Sequence, residues 1–198
     1  MSSPQPQAPQ PSTQPPLART SAEAHLYMDL RPCECGESTF DRDTAIIDLG
    51  GDALGSRYEG HCPGCGARRE FVFRLPAQVI LPPAGQVVYG DGTPSELLDP
   101  GEWLWVADRF AGSVPAETSG LDEDVRREAR VRLAAAAAAM DEALAWVPPG
   151  ADAIPADAVR SELGLAVYED EPDRFALDRL EIVRDAYREL LERVEAAR

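Results

Sequence analysis

The 198-residue chain contains no lysine, no asparagine and no long apolar run, and it has only two histidines and four cysteines. A membrane-spanning helix needs about 18 or more consecutive apolar residues, so none is predicted. The first residues, MSSPQPQAPQ, have neither the basic start nor the apolar core of a signal peptide, and we therefore expect a cytoplasmic protein. The H-E-x-x-H, G-x-S-x-G and P-loop motifs are also absent. The sequence predicts no catalytic residue and a protein that is not an enzyme.

Acidic side chains outnumber basic ones by 35 to 19, which gives a formal net charge of −16. Most of this excess follows position 75, where 25 acidic residues face 12 arginines. Binding to nucleic acid requires clustered cations that displace counterions from the phosphates, so this chain is a poor general nucleic-acid binder. The charge instead favours solubility and a basic protein partner.

The composition divides the chain into four regions. Residues 1–21 hold six of the eighteen prolines and a single charge, which predicts a disordered tail. Residues 22–75 contain all four cysteines, and residues 76–99 form a connector rich in proline and glycine. Residues 100–198 have the spacing of amphipathic helices and form the helical domain.

The cysteine-bearing region, residues 22–75, has the alternation of apolar and polar side chains that half-buried strands show. Residues 44–49 place alternate apolar side chains on one face. A Gly-Gly-Asp turn follows, so residues 56–60 are predicted to run antiparallel to the first strand. Residues 69–75 alternate again after the second cysteine pair. We therefore predict an antiparallel β module.

The cysteines occur as two close pairs. Cys33 and Cys35 form a C-x-C pair, and 26 residues separate it from the C-x-x-C pair of Cys62 and Cys65. Two pairs on either side of a predicted hairpin suit a tetrahedral zinc site. In an extended segment the side chains at i and i+2 point to the same face, so a C-x-C pair is able to chelate. The predicted metal ligands are Cys33, Cys35, Cys62 and Cys65.

The second pair lies in the sequence Cys62-Pro63-Gly64-Cys65-Gly66, which resembles the C-P-x-C-G knuckle of the zinc-ribbon family. In that knuckle a tight turn brings both thiolates to one metal, and the glycine after the last cysteine takes a positive φ. The resemblance implies a zinc-ribbon-like module with one bound Zn²⁺. The first pair departs from the family pattern because it is C-x-C and not C-x-x-C.

Three alternatives to four-cysteine zinc binding stay open at this point. His61 is the substitute ligand if Cys33 or Cys35 does not bind, and the four cysteines could also form two disulfides or remain free thiols. A reducing compartment favours metal binding over disulfides. Residues 31–75 are also close to the size of about 40 residues below which a hydrophobic core alone does not stabilise a folded domain, so a bound metal would supply the missing stability. Four protein ligands leave no position for water, so the predicted zinc is structural.

Helix signals precede and follow the β module. Residues 21–30 predict a short helix, and Asp99, Pro100 and Glu102 occupy the positions of a capping box that begins another helix. Apolar residues at spacings of three or four, ended by proline or glycine, predict further helices over residues 121–147, 155–168 and 174–196.

The predicted fold class is α+β, an N-terminal zinc-ribbon-like antiparallel β module followed by a small C-terminal helical bundle. The connector leads us to expect separate cores for the two parts. The run PSELLDPGEWL, residues 94–104, is similar to uncharacterised ribbon-plus-helix proteins of high-GC bacteria, and this resemblance implies no activity.

These features favour a non-enzymatic, zinc-stabilised protein-interaction or regulatory module, such as an acidic antagonist of a basic partner. The locally basic patch of Arg57, Arg68, Arg69 and Arg74 supports one alternative, a nucleic-acid-associated zinc-ribbon accessory factor. The other alternative is an enzyme whose site assembles from carboxylates that no motif reveals. The sequence indicates no membrane partner and no particular oligomeric state.

Overall fold

The computed structural model describes residues 14–80, 82–83, 86–117, 120 and 122–196. Its regular elements are α1 (Ser21–Asp29), β1 (Asp43–Gly50), β2 (Ala53–His61), β3 (Arg68–Arg74), α2 (Pro100–Ala111), α3 (Glu123–Leu144), α4 (Glu162–Asp170) and α5 (Leu177–Ala196). This mixture of an antiparallel sheet and helices confirms the α+β class. Within these described ranges, every helix is too short or too polar to cross a lipid bilayer.

The three strands form an antiparallel sheet in the order β1-β2-β3. The predicted turn joins β1 to β2, and its residues Gly50, Gly51 and Asp52 all have a positive φ. One face of the sheet carries Tyr58 and Phe73, which are buried under α1. The predicted hairpin and third strand are therefore confirmed.

The segment before α1 differs from the prediction of a disordered tail. Leu17 forms a parallel bridge with Arg74 at the outer edge of β3, and Ala18 and Arg19 are buried. Residues 16–20 do not fit the disordered-tail prediction, because one isolated bridge joins this stretch to β3 and Thr20 then caps α1. The remainder of that prediction, residues 1–13, lies outside the described residues.

Arg19 explains why this segment is ordered despite its composition. Its guanidinium donates to Glu23, one turn into α1, and to Glu142 of α3, and it also donates to the carbonyl of Thr93 in the connector. The Ser95 hydroxyl donates to Glu23 at 2.6 Å, so this carboxylate is fully engaged. We refer to Arg19, Glu23 and Glu142 as the ionic cluster.

The predicted capping box at the start of α2 is present. The Asp99 carboxylate accepts from the Glu102 N–H at 3.0 Å, and the Glu102 carboxylate accepts from the Asp99 N–H at 3.0 Å. The second Asp99 oxygen accepts from the N–H groups of Arg160 and Ser161 at 2.8 and 2.6 Å. One buried aspartate therefore joins the starts of α2 and α4.

The C-terminal helices pack on one another, with α3 between α2 and α5 and with α4 against α2. Alanine side chains let the helices approach closely, and Ala135, Ala136 and Ala139 are buried on α3. The helix predicted over residues 121–147 starts at a residue that is not described, and α3 begins at Glu123. The predicted helix over 155–168 begins only at Glu162, because Ser161 caps its first turn.

The sheet and the helices share one core, so the expectation of separate cores is wrong. The largest cluster of buried apolar residues takes members from α1, the sheet, the connector and the helices: Met28, Phe40, Tyr58, Phe73, Tyr89, Leu98, Trp103, Leu104, Met140, Phe175 and Leu180. Helix α1 contributes Ala24 and Met28 to this cluster. It contacts the sheet through His25 and Tyr27 and the connector through Glu23. The connector is therefore part of the core and does not separate two independent units.

Candidate metal centre

The four cysteines lie in two loops at the same end of the sheet. In the first loop, between α1 and β1, the Cys33 N–H donates to the Glu37 carbonyl at 2.8 Å and the Gly36 N–H donates to the Cys33 carbonyl at 2.7 Å. In the second loop, between β2 and β3, the Gly66 N–H donates to the Cys62 carbonyl at 2.8 Å. Each loop is thus closed by backbone hydrogen bonds.

Both loops end in a glycine of left-handed conformation. Gly66 has a φ of +76°, as the knuckle resemblance implies, and Gly36 has a φ of +90° after the first pair. Residues with a Cβ rarely adopt this conformation, so the repeated C-G step has the same backbone cause in both loops. The C-x-C pair therefore forms a turn similar to that of the C-x-x-C pair despite its shorter spacing.

The sulfur atoms of the two loops meet in cross-loop pairs. Cys33 Sγ lies 3.6 Å from Cys65 Sγ, Cys35 Sγ lies 3.4 Å from Cys62 Sγ, and all four atoms are within 4.8 Å of one another. A tetrahedral zinc with Zn–S bonds of about 2.3 Å requires sulfur atoms about 3.8 Å apart. No disulfide joins any of the four cysteines, so the disulfide alternative does not describe this structure. The four cysteines are positioned to hold one metal ion.

His61 does not belong to this group. It is exposed at the last position of β2, where its backbone pairs with Arg68, and only the four cysteines form the cluster of candidate ligands among the described residues. The geometry therefore offers a set of four sulfur atoms and gives no support to the histidine alternative.

The electrostatics of the cluster favour a bound cation. Although burial raises the pKa of the Cys62 thiol, the Cys65 N–H and the Cys35 thiol donate to its sulfur and lower the pKa to about 7. At Cys65 the Ala67 N–H lowers the pKa, but the neighbouring thiols outweigh it and raise the pKa to about 12. Four adjacent thiols cannot all ionise without a compensating positive charge, and a divalent metal supplies it.

Gly64 contributes space to the site, a role that the sequence did not reveal. A Cβ at this position would lie 3.3 Å from Cys35 Sγ and 3.8 Å from Cys62 Sγ. Any larger side chain would therefore push against the sulfur atoms of both loops. The third position of the knuckle is small because the opposite loop approaches it closely.

Arg69 is a second residue whose role sequence reasoning missed. It was assigned to an exposed basic patch, but it is 8% exposed and donates to the carbonyls of Arg31 and Glu37, which flank the first cysteine pair. Its guanidinium also lies 4.8 Å from the centre of the Phe40 ring. The alternation of β3 was the available signal, because it places Arg69 on the same face as Phe71. Arg69 fixes the first cysteine loop to the sheet.

The other arginines of the predicted patch are paired with carboxylates. Arg68 lies 2.9 Å from Glu59 and 2.6 Å from Glu70, and Arg57 lies 3.3 Å from Glu59. Arg74, at the opposite end of β3, pairs with a glutamate of the connector at 2.8 Å. These arginines therefore do not form an uncompensated cationic surface.

Comparisons with known protein families, with curated proteins and with solved structures found no match. The assignment of the site therefore rests on the geometry and chemistry of the four cysteines. The similarity of residues 94–104 to ribbon-plus-helix proteins stays a prediction.

Proposed function

We propose that Cys33, Cys35, Cys62 and Cys65 bind one Zn²⁺ and that this metal has a structural role. The observation that carries the proposal is the convergence of four sulfur atoms within 4.8 Å from two loops that are distant in sequence. A tetrahedral set of four thiolates suits zinc or iron among the common biological metals, and the knuckle resemblance of Cys62-Pro63-Gly64-Cys65-Gly66 favours zinc. Because four protein ligands complete the coordination, no position is left for a reacting water.

Zinc would join the loop that follows α1 to the turn between β2 and β3. The same loop contacts α2, because the Arg31 guanidinium lies 2.6 Å from the Glu102 carboxylate. A metal at this place would therefore hold α1 against the sheet. It would also hold the cysteine-bearing end of the sheet close to α2. In this interpretation residues 22–75 form a zinc-ribbon-like module and the C-terminal helices form a small bundle.

Metal analysis tests this first part. The protein is purified from medium without added zinc and measured by mass spectrometry under native conditions and by elemental analysis. We expect one zinc per chain, and we expect substitution of any one cysteine by serine to abolish tight binding. A chain without metal, or one whose two cysteine pairs are oxidised inside the cell, would refute the proposal.

We further propose that the scaffold binds a basic protein. Exposed residues of α5 form one stripe at helical spacing, which consists of Asp178, Ile182, Asp185, Glu189 and Glu192. Ile182 is 62% exposed in the middle of this stripe, in which Asp185 is paired with Arg184 at 2.8 Å. An apolar side chain among carboxylates is a pattern that fits a partner surface of arginines or lysines around an apolar spot.

The structure gives less support to the two alternatives. The arginines proposed for nucleic-acid binding are paired with carboxylates or buried, so DNA and RNA would meet a net negative surface. A cavity of about 1020 Å³ at the hairpin end of the sheet has Asp52 as the one carboxylate among its described lining residues, which is not the paired arrangement that acid-base catalysis uses. A protein-interaction role therefore remains our proposal.

Affinity purification from the native host tests the interaction at low and at high salt. The E189Q/E192Q variant removes two charges from the α5 stripe, and the E162Q/E169Q variant removes the same number from α4. We expect a basic protein that is retained at low salt and lost at high salt, and that is weakened by the α5 variant more than by the matched control. Equal retention by both variants, or retention of nucleic acid in place of a protein, would refute this interface.

A further inference from the structure

A cavity of about 1020 Å³ lies at the end of the sheet opposite to the cysteines. Helix α1 has nine residues and is about 14 Å long, whereas the nine residues of β2 span about 30 Å. The helix therefore covers only part of the sheet face, and the connector covers the remainder loosely. The length mismatch leaves a space between the hairpin, the first turn of α1 and the connector.

The walls of this cavity are mainly apolar. They include side chains from the segment before α1, from the hairpin and from the connector, among them Leu17, Leu54, Leu75, Val79, Ile80 and Val88. Leu54 and Val79 are 53% and 77% exposed, so large apolar side chains also surround the opening. Apolar surface of this kind, in a cavity at the upper end of the range of about 300–1000 Å³, is typical of small-molecule sites.

Two residues in the described cavity wall have a buried polar atom without a hydrogen-bond partner: Ser56, at its hydroxyl, and Arg74, at Nε. Ser56 is 3% exposed, and its hydroxyl is the uncharged one of these two groups. Buried hydroxyl groups are normally hydrogen-bonded because an unsatisfied one loses its interactions with water. Ser21 and Ala22, in the first turn of α1, also line the cavity. Their N–H groups lack helical acceptors, as those of every first turn do.

The arginines around the cavity are already paired. Arg19 is engaged by both carboxylates of the ionic cluster, and Arg74 is paired with Glu96. The carboxylate of the lining, Asp52, is exposed at the hairpin turn, where an ion pair with a ligand would contribute little. A charged ligand group would therefore find no unpaired buried counterion among the described residues here. The first 13 residues of the chain are a poor occupant, since Met1 is their only large apolar side chain.

We propose that this cavity binds an uncharged amphiphilic small molecule. Its apolar body lies along Leu54, Leu75 and Val88, and its one hydrogen-bonding group contacts the Ser56 hydroxyl. This activity is independent of the zinc site and of the proposed protein partner, because the cavity is at the opposite end of the sheet from the cysteines.

Displacement of the neutral dye Nile red from the full-length, zinc-loaded protein tests the proposal. Three competitors share one eight-carbon chain and differ in the polar group: 1-octanol, octanoate and octylammonium. We expect 1-octanol to displace the dye at a concentration about tenfold lower than either charged compound, because neither ion gains an unpaired buried counterion in the cavity. Failure of all three compounds to displace the dye, or equal displacement by octanoate, overturns the proposal.

Two variants locate the binding. Ala22→Trp places a large side chain at the cavity wall and is expected to abolish displacement by octanol, whereas Ala186→Trp, on the exposed surface of α5, is the matched control and leaves it unchanged. Ser56→Ala is expected to weaken octanol binding by about 2- to 12-fold, the range for one neutral hydrogen bond. Circular dichroism verifies that the variants are folded. Unchanged octanol binding in either cavity variant overturns the assignment.

Discussion

Helix α1 is anchored at both of its ends, and the two anchors differ in kind. After its last turn the chain enters the first cysteine loop, whose sulfur atoms meet those of the second loop. At its first turn the ionic cluster joins Arg19 and Glu23 to Glu142 on α3. The cysteine anchor uses ligands in short motifs, whereas the ionic anchor uses residues up to 123 positions apart.

The comparison shows how a small sheet is attached to a helical layer. A three-stranded sheet with one short covering helix buries little apolar surface, so specific polar contacts at both ends add to the shared core. A metal bound by four thiolates is a strong anchor because folding and binding occur together. A buried ionic cluster contributes less net stability, since its charges lose their hydration, but loss of one partner is costly.

Disruption of the proposed metal site has the largest expected effect. Cys62→Ser replaces the most buried candidate ligand, and structural zinc contributes about 10–16 kcal/mol in zinc-finger peptides, which is comparable to the whole stability of a domain. We expect loss of the sheet and, because the core is shared, a lower melting temperature of the helices. Thermal unfolding followed by circular dichroism measures both, with Ile46→Ser on the exposed edge of β1 as the control. An unchanged melting temperature would show that the sheet does not depend on the metal.

Replacement of Arg69 tests whether the metal anchor needs its support from β3. Arg69→Met keeps the apolar contact with Phe40 but leaves the Arg31 and Glu37 carbonyls without their donor, which is expected to cost about 2 kcal/mol. Zinc affinity should fall by about tenfold because the first loop is no longer fixed. Arg68→Met removes only an exposed ion pair and should cost less than about 1 kcal/mol. Urea unfolding measures the stability of the two variants, and competition with a chelator measures their zinc affinity. Equal values for the two variants would contradict this role of Arg69.

Gly90→Ala is directed at the ionic anchor. A Cβ at Gly90 would lie 2.1 Å from Arg19 Nη1, so the guanidinium would have to move away from its carboxylates. We expect a loss of about 1–3 kcal/mol, the usual cost of overpacking. Gly112→Ala, at the end of α2 with an ordinary φ of −67°, should change stability by about 0.5 kcal/mol or less. Equal stability of the two variants would exclude a tight fit around Arg19.

The smallest expected effect concerns the pH dependence of the ionic anchor. Burial raises the pKa of Glu142 to about 7, although Arg19 opposes this shift. The folded chain therefore binds the proton more tightly than the unfolded chain, so this contribution to stability is complete below about pH 4.5 and is lost as the pH rises through 7. The side chain introduced by Glu142→Gln cannot ionise. We therefore expect the decrease in the free energy of unfolding between about pH 5 and pH 8 to be smaller in this variant by about 1–3 kcal/mol.

Urea unfolding across this pH range measures the effect, with Glu181→Gln on the exposed surface of α5 as the control. The wild-type and control proteins should lose stability over the range, and the E142Q protein should lose less. Identical slopes in all three proteins would show that Glu142 does not titrate in this window.

The sequence by itself determined the local features of the protein. The alternation of residues 44–49 and 69–75 predicted the strands, and Asp99, Pro100 and Glu102 predicted the start of α2. The cysteine spacing and the following glycines predicted two turns able to present sulfur atoms to one metal. These features are readable because each depends on residues only a few positions apart.

The tertiary structure decided what depends on distant residues. It placed residues 16–18 beside β3, buried Arg69 while Arg68 stayed exposed, and joined Arg19 to Glu142. From the sequence, residues 16–18 are part of a predicted disordered tail, and Arg68 and Arg69 belong to one locally basic patch. Which face of a strand is buried, and which charge finds a buried partner, depends on where α1 packs, and the pairing that places it there involves residues far apart in the chain.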